Sequence, residues 1–437
     1  MADLEKGSNK LLNAWAFYDW ANSVYPLVIS SAIFPIFYAS LFTDNHPNVA
    51  IFSTSIKSTA LISFVTAAAF LVVAFISPLL SGIADYVGNK KRFLQFFCYL
   101  GALSCIGLYW FDVKEEGQLY FGLACYFFGL IGFWGSVVFY NSYLPDVAFK
   151  NQQDRLSAKG YSLGYIGSVI LLLISLALVM GQENGAGKIE AMRLTFIFTG
   201  IWWIAFSQYT FYHLPKGNKN AEKVTRAVFF NGFRELKKVK EELFDNLPLK
   251  RYLIAFFVYS MAVQTVMLVA VYFGEQEVNW ENDEEKTLGL IISILVIQLV
   301  AVLGAVMTSR LSGKWGNIKT LIVINAIWAV ICVAAYFVSE PIHFYITAGF
   351  VGLVMGGIQA LSRSTYSKFL PKTEDTASYF SFYDVSEKIG IVIGMLLYGF
   401  IDQITGSMRN SIVFLTVFFV AGLLLLLRVP KKVLPNE

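Results

Sequence analysis

The chain has 437 residues, of which 56% are hydrophobic and 15% are charged, and its mean hydropathy is +0.58. This composition indicates an integral membrane protein and not a soluble one. The formal net charge of +4 gives no reason to expect a nucleic-acid partner.

The first apolar run, residues 13–41, is long enough to cross a bilayer but carries a carboxylate, Asp19, near its start. A charge inside the hydrocarbon region costs at least about 2.5 kcal/mol unless it is paired or hydrated. Helical spacing places six residues on one stripe that would face a bundle interior: Trp15, Asp19, Asn22, Ser23, Pro26 and Ser30. We therefore expect Asp19 to lie on a transport pathway. A carboxylate that snorkels to the interface or caps the helix is the alternative.

Eleven further apolar runs follow, so the sequence predicts twelve transmembrane helices. The predicted spans are 13–41, 57–82, 93–111, 119–141, 160–181, 192–213, 250–274, 287–309, 319–338, 342–361, 379–401 and 409–428. Of the 34 Lys and Arg residues, 27 fall on the side of the N-terminus, 6 fall on the opposite side, and Lys388 falls inside a span. The positive-inside rule then predicts that both termini are cytoplasmic.

The longest connection follows the sixth span and divides the chain into two halves of six spans. We predict an N-terminal half over 1–213, a cytoplasmic linker over 214–249 and a C-terminal half over 250–437. Four apolar linker residues, Phe229, Phe233, Leu236 and Leu243, fall near one helical face and suggest an interfacial amphipathic helix. A partly ordered, solvated linker is the alternative.

A glycine-rich loop joins the second and third spans, with the sequence SGIADYVGNKKR over 81–92. Its glycines permit a tight turn, and Asp85 can meet a cation or a helix N-terminus. A weaker echo, LSGKWGNIK over 311–319, follows the eighth span, at the equivalent place in the other half. A turn repeated between two six-span halves is typical of a duplicated transporter.

The loop over 82–92 and the twelve-span layout resemble the major facilitator superfamily. Four other stretches are similar to its branch of autophagy-related vacuolar amino-acid effluxers and their bacterial relatives: WAFYDWANSVY (15–25), FYNSYLPDVA (139–148), SAKGYSLGYIGS (157–168) and QALSRSTYSKFLP (359–371). The resemblance implies a facilitator fold with a central cavity that opens alternately to each side. It also implies amino-acid export.

Two groups of residues are candidates for the work of transport. The substrate or proton pathway is expected to contain Asp19, Asn22, Ser23, Tyr18, Tyr140, Gln264 and Glu387. Asp384 and Lys388 are spaced i, i+4 and are expected to pair, which leaves Glu387 without a sequence-local partner. Glu387 then either titrates or belongs to a fixed ion pair, with Arg363 as the expected tertiary partner of Asp384 or Glu387.

The second group is expected to act in gating and in the loop signature. It contains Gly82, Asp85, Gly88, Arg92, Asp146, Arg363, Asp384 and Lys388. Asp146 is expected in a cytoplasmic loop beside Arg155, where a gate ion pair fits better than a substrate contact.

These patterns predict a secondary transporter for a small polar solute, with proton coupling from Asp19 and Glu387, and the family resemblance implies amino acids or similar metabolites as the first candidates. A passive facilitator and a non-transporting nutrient receptor on a transporter fold are the alternatives. An intramembrane enzyme ranks last, because the sequence shows no nucleophile–base constellation and no phosphate-binding loop. We expect no cofactor and no metal site, a monomer in a bacterial cytoplasmic membrane, and a solute, protons and lipid as the partners.

Overall fold

A computed structural model describes residues 4–42, 48–51, 54–217 and 226–430, and these residues are almost entirely helical. The helices are α1 (Asn9–Asn22), α2 (Phe34–Ser40), α3 (Ser58–Val87), α4 (Lys90–Gly107), α5 (Glu116–Ser142), α6 (Leu144–Val147), α7 (Lys150–Met180), α8 (Gly185–His213), α9 (Arg226–Asp245), α10 (Leu247–Glu277), α11 (Asp283–Trp315), α12 (Asn317–Ala335), α13 (Pro341–Phe369), α14 (Thr376–Thr405) and α15 (Met408–Leu427). Two short strands, β1 (Asn48–Ile51) and β2 (Thr54–Lys57), form an antiparallel hairpin in which Asn48 pairs with Lys57.

Twelve helical segments in this part of the chain are long and apolar enough to cross a membrane, as predicted. Several are longer than their apolar runs: α7 begins at Lys150 instead of residue 160, and α10 begins at Leu247. Helix ends follow capping rather than hydropathy. The Asn246 side chain, for example, accepts a hydrogen bond from the Leu249 N–H and so fixes the start of α10.

The first span is not a continuous α-helix. Between α1 and α2, residues Tyr25–Ile33 form a π-helix, with Pro26 in its first turn. The Ser31 hydroxyl donates to the Pro26 carbonyl five residues earlier, at 2.9 Å. Because π-helical hydrogen bonds run i→i+5, the stripe predicted with α-helical spacing cannot be extended to Ser30. This irregularity and the hairpin between the first two spans were not predicted.

One compact unit consists of residues 1–141 and 166–233. Its core is strongly aromatic: the rings of Phe34 and Tyr126, for example, stack with centroids 4.4 Å apart. Helices α4 and α5 cross closely, since a Cβ added at Gly132 would clash with the backbone of Gly101. This close approach agrees with the packing role expected of small residues in membrane helices.

The other compact unit consists of residues 142–165 and 234–437. In its core the rings of Trp328 and Phe419 are nearly parallel, with centroids 5.4 Å apart. Helices α11 and α13 cross closely where a Cβ at Gly356 would clash with the Ala301 carbonyl. This unit also includes the first half of α7. The predicted division of the chain at 214–249 stays a prediction.

The linker contains helix α9, whose second half packs on the unit formed by 142–165 and 234–437. Val239 and Leu243, one turn apart, are 0% and 2% exposed. Lys238 donates to Asp375 at 3.4 Å, and the Tyr379 hydroxyl donates to Glu242 at 2.9 Å. The side chains of Phe229 and Phe233, on which the amphipathic prediction partly depends, lie outside the described residues.

Candidate functional site

Asp19 lies on α1 with its carboxylate buried in an aromatic setting. The residue is 6% exposed, and the Tyr140 hydroxyl of α5 donates to its Oδ2 at 2.8 Å. The Tyr140 ring stacks on Trp15, with centroids 4.5 Å apart, and packs against Tyr18 at 4.9 Å. The Trp15 indole N–H donates to the Tyr140 carbonyl at 3.0 Å, which fixes the stack. Asp19 is therefore buried inside the protein, and its carboxylate is held by a phenol hydroxyl.

The neighbouring polar residues of α1 are also inside the protein. Asn22 is 2% exposed, and the Ser23 hydroxyl donates to its Oδ1 at 3.4 Å. The α-helical part of the predicted stripe thus places Asp19 and Asn22 on a protein-facing surface, as expected for polar groups in a membrane span.

A second polar cluster lies on α14 and α10. The Lys388 ammonium is 2.8 Å from Asp384 Oδ1, which is the predicted i, i+4 pair, and 3.2 Å from Glu387 Oε2. The Gln264 amide donates to Glu387 Oε1 at 2.8 Å. The expectation that Glu387 has no local partner is therefore wrong, since the long lysine side chain reaches the adjacent carboxylate as well.

Arg363 lies on α13 and is 2% exposed. Its Nε donates to the Ser157 hydroxyl at 2.9 Å, its Nη2 donates to the Ser157 carbonyl at 3.1 Å, and its guanidinium lies 4.2 Å from the centroid of the Tyr161 ring. These described contacts join α13 to the first half of α7. The described bonds of Asp384 and Glu387 go to Lys388 and Gln264, so the expected pairing with Arg363 stays a prediction.

Sequence reasoning missed an ionic network in the same unit. The Lys368 ammonium donates to Asp154 Oδ2 at 2.6 Å and to Asn317 Oδ1 at 3.1 Å. Ser312 and Asn317 also donate to Asp154, each at 2.9 Å, and Asn317 donates to Thr365 at 2.9 Å. In the sequence, the only sign of this network was the repeated turn at Gly316-Asn317. That repeat predicts a turn but not the side chains that Asn317 contacts.

The predicted loop over 81–92 is mostly helical, because α3 continues to Val87 and α4 begins at Lys90, and the turn itself is confined to Gly88 and Asn89. Gly88, with φ of 68°, ends α3 in the left-handed region, and the Asn89 side chain accepts from the Arg92 N–H to begin α4. Gly82 is buried and Asp85 is half-buried near the end of α3. In the second loop Gly316, with φ of 83°, ends α11, so glycine supplies the positive φ in both turns.

Comparison with known proteins decides the family. The sequence profile described as "Vacuole effluxer Atg22 like" matches residues 7–433. The chain belongs to the Atg22-like family. It is 31% identical over 430 residues to the MFS-type transporter YxiO of Bacillus subtilis, covering 98% of this chain and 96% of that protein. It is 25% identical over 435 residues to autophagy-related protein 22 of Saccharomyces cerevisiae strain S288c, covering 86% and 77% of the two chains.

Solved structures show the fold of this Atg22-like protein. The Escherichia coli fucose:proton symporter FucP superposes with a TM-score of 0.67 at 14% identity, covering 97% of this chain and 98% of that one. The proton:xylose symporter XylE superposes with a TM-score of 0.69 at 13% identity, covering 96% and 95%. The Atg22-like protein is therefore an integral membrane protein with the fold of a major facilitator superfamily (MFS) transporter.

Among the described residues of the Atg22-like protein, two ionisable groups outside the spans, Asp112 and Lys238, have a clearly shifted pKa. Burial alone would raise the pKa of Asp112, but hydrogen bonds from the Lys114 and Val113 N–H groups and from Arg193 outweigh it and hold this pKa below its usual range. The hydrogen bond from Lys238 to Glu235, at 2.9 Å, raises the pKa of that lysine.

The remaining candidates in the Atg22-like protein are placed as follows. Asp146 lies half-buried on the short helix α6 and not in the predicted loop, because Leu144–Val147 form a helical turn after Tyr143. Its pairing with Arg155 stays a prediction. Among the described residues no group of three or more His, Cys, Asp or Glu side chains could hold a metal ion. The site of Asp19 and the cluster of Asp384 and Glu387 can each bind a proton or an organic cation. Both present buried acidic oxygens beside polarisable or cationic groups.

Proposed function

We propose that this Atg22-like protein is a secondary transporter that moves a small solute with an ammonium group, amino acids first, by alternating access coupled to protons. The observation that carries the proposal is the carboxylate of Asp19, a residue that is 6% exposed within the first membrane span. Ionisable residues are rare inside membrane spans because burying them costs free energy. Those that are present mark substrate or proton paths in membrane proteins.

The surroundings of Asp19 favour a cationic ligand. The rings of Trp15, Tyr18 and Tyr140 pack together beside the carboxylate, and the Tyr140 hydroxyl orients one of its oxygens. Aromatic faces and a carboxylate both attract an ammonium group, whereas they offer nothing to an anion. The same carboxylate could accept a proton, and the experiment below separates these two roles.

The relatives support the same class of function. The family description names a vacuole effluxer, and two proteins of the same fold are named as proton symporters. We extend these names to an exporter of amino acids in a bacterial cytoplasmic membrane, acting as a monomer with both termini cytoplasmic. The excess of Lys and Arg on the side of the termini supports this orientation.

The test is flux in proteoliposomes, with Asp19→Asn as the variant and Asp112→Asn, a carboxylate outside the spans, as the control. For the wild type we expect amino-acid accumulation driven by a pH gradient and amino-acid exchange without one. If Asp19 carries the proton, Asp19→Asn abolishes the driven flux and spares exchange. If Asp19 binds the ammonium group, both modes fail, and thermal stabilisation by the amino acid is lost with them.

Two results would overturn the proposal. One is a wild-type protein without flux in either mode for any amino acid that stabilises it, which would favour the nutrient receptor. The other is an Asp19→Asn variant that matches the wild type in both modes, because the buried carboxylate would then have no part in transport.

A further inference from the structure

The lysine of α14 serves two carboxylates within one compact unit. The Lys388 side chain is 2% exposed and that of Asp384 is 4% exposed, while that of Glu387 is 17% exposed. Both oxygens of Glu387 accept hydrogen bonds, from Gln264 and from Lys388. Asp384 Oδ1 accepts from Lys388, but Oδ2 is buried without a hydrogen-bond partner among the described residues.

Charge balance makes full ionisation of this cluster unfavourable. One ammonium and two carboxylates carry a net charge of −1 inside a membrane span. Burying an unpaired charge costs far more free energy than burying a neutral hydroxyl that lacks a hydrogen-bond partner. One bound proton removes the excess charge. The oxygen that gains most is Asp384 Oδ2, since each of the other three oxygens already accepts a hydrogen bond.

The elements around α14 supply few other charges. On α10 the nearby polar groups are Gln264 and the phenols of Tyr252 and Tyr259, which bond to Ser362 of α13. The ionisable residue of α15, Arg409, is bound to Glu277 at 2.7 Å.

The charged groups of α13 make contacts of their own. Arg363 bonds to Ser157 and Lys368 bonds to Asp154. Among the described contacts, Lys388 is therefore the cation that pairs with both Asp384 and Glu387.

We infer that Asp384, Glu387 and Lys388 form a proton-binding site in which one proton resides on Asp384 Oδ2. The proton comes from a hydronium ion in the water on the side of the more exposed Glu387, so an O–H bond of hydronium breaks as one forms on Asp384 Oδ2. That carboxyl O–H bond breaks, and the proton returns to water, when the cluster meets water on the other side of the membrane. The role of the cluster in coupling rests on the proposed transport function. Proton binding by the cluster does not depend on that function.

Infrared difference spectroscopy of the purified protein tests proton binding without transport. We expect an absorption band from the carbonyl of a protonated carboxylic acid. The frequency of this band should shift when aspartate is labelled with ¹³C at the side-chain carboxyl. Asp384→Asn should remove the band. Glu387→Gln should remove it too, because Lys388 and Asp384 then balance each other, and this variant covers the case in which Asp384→Asn does not fold. Glu277→Gln, which alters a one-to-one pair, is the control and should keep the band.

Several outcomes would overturn the site. One is a band that persists in both Asp384→Asn and Glu387→Gln, and another is no such band in the wild type. A band that moves only with labelled glutamate would refute the placement on Asp384.

Flux separates this inference from the proposed function. If the site couples transport, Asp384→Asn abolishes accumulation driven by a pH gradient and keeps solute exchange. If the infrared result holds but the wild type shows no flux, the proposed function fails and the proton site stands. If a pH gradient drives solute flux equally well in the wild type and in Asp384→Asn, the proton site is refuted and the proposed transport function stands.

Discussion

The ion pair between Asp154 and Lys368 is expected to be strongly coupled energetically. The two side chains are 10% and 11% exposed, and they join α7 to the end of α13. We consider Asp154→Asn, Lys368→Met and the double variant. Each single change strands one charge in a largely buried site, although Asn317 remains as a partner for either survivor.

Breaking a buried pair by removing one partner costs about 3–5 kcal/mol, because the survivor stays desolvated. The bonds retained from Asn317 and Ser312 place the expected cost of each single change near the lower end, about 3 kcal/mol. The double variant strands no charge, so it should cost no more than one single change. The coupling free energy, the sum of the two single costs minus the cost of the double variant, is then at least about 3 kcal/mol.

The assay is unfolding of the purified protein by sodium dodecyl sulfate in mixed micelles, which gives the change in free energy of unfolding for each variant. The control is Lys237→Met, because Lys237 and Glu241 are 71% and 67% exposed and 4.0 Å apart, and such pairs contribute little. A double variant that loses the sum of the two single losses would refute the reasoning, since the pair would then have no energetic coupling.

Three further predictions concern packing, pH and arginine geometry. Gly356→Ala should lower thermal stability, because its Cβ would meet the Ala301 carbonyl, whereas Gly349→Ala, with open space at its Cβ, should not. The lowered pKa of Asp112 gives stability above about pH 4 that is lost as the pH falls through its folded-state pKa, so Asp112→Asn should flatten the stability profile in that range. Arg363→Lys should reduce thermal stability nearly as much as Arg363→Ala, since a lysine cannot make both bonds to Ser157; equal stability of Arg363→Lys and the wild type would contradict this.

The sequence predicted the twelve spans because a run of about 20 apolar residues has few other uses. It also predicted the pair of Asp384 and Lys388, since i, i+4 residues face each other on a helix. Helix ends were less accurate because side chains such as Asn246 decide them locally. The π-helix was missed because hydropathy does not report the hydrogen-bond register of the backbone.

Most of the candidate site depends on contacts that no local pattern contains. Tyr140 reaches Asp19 across 121 residues of sequence, and Lys368 reaches Asp154 across 214. The sequence marked Asp19, Tyr140 and Glu387 as candidates by residue type and position. It could not show that Gln264 bonds to Glu387, because that contact depends on how α10 and α14 pack.

The π-helical segment of the first span affects how any scanning experiment on it should be analysed. An α-helix advances about 100° per residue, and one wheel projection then describes all its faces. Residues Tyr25–Ile33 wind differently, so residues before and after them belong to two wheels with an angular offset. A cysteine scan from Asn9 to Ser40 should give two labelling periodicities that do not join in phase. A single unbroken periodicity would show that the span adopts a regular helix under the conditions of labelling.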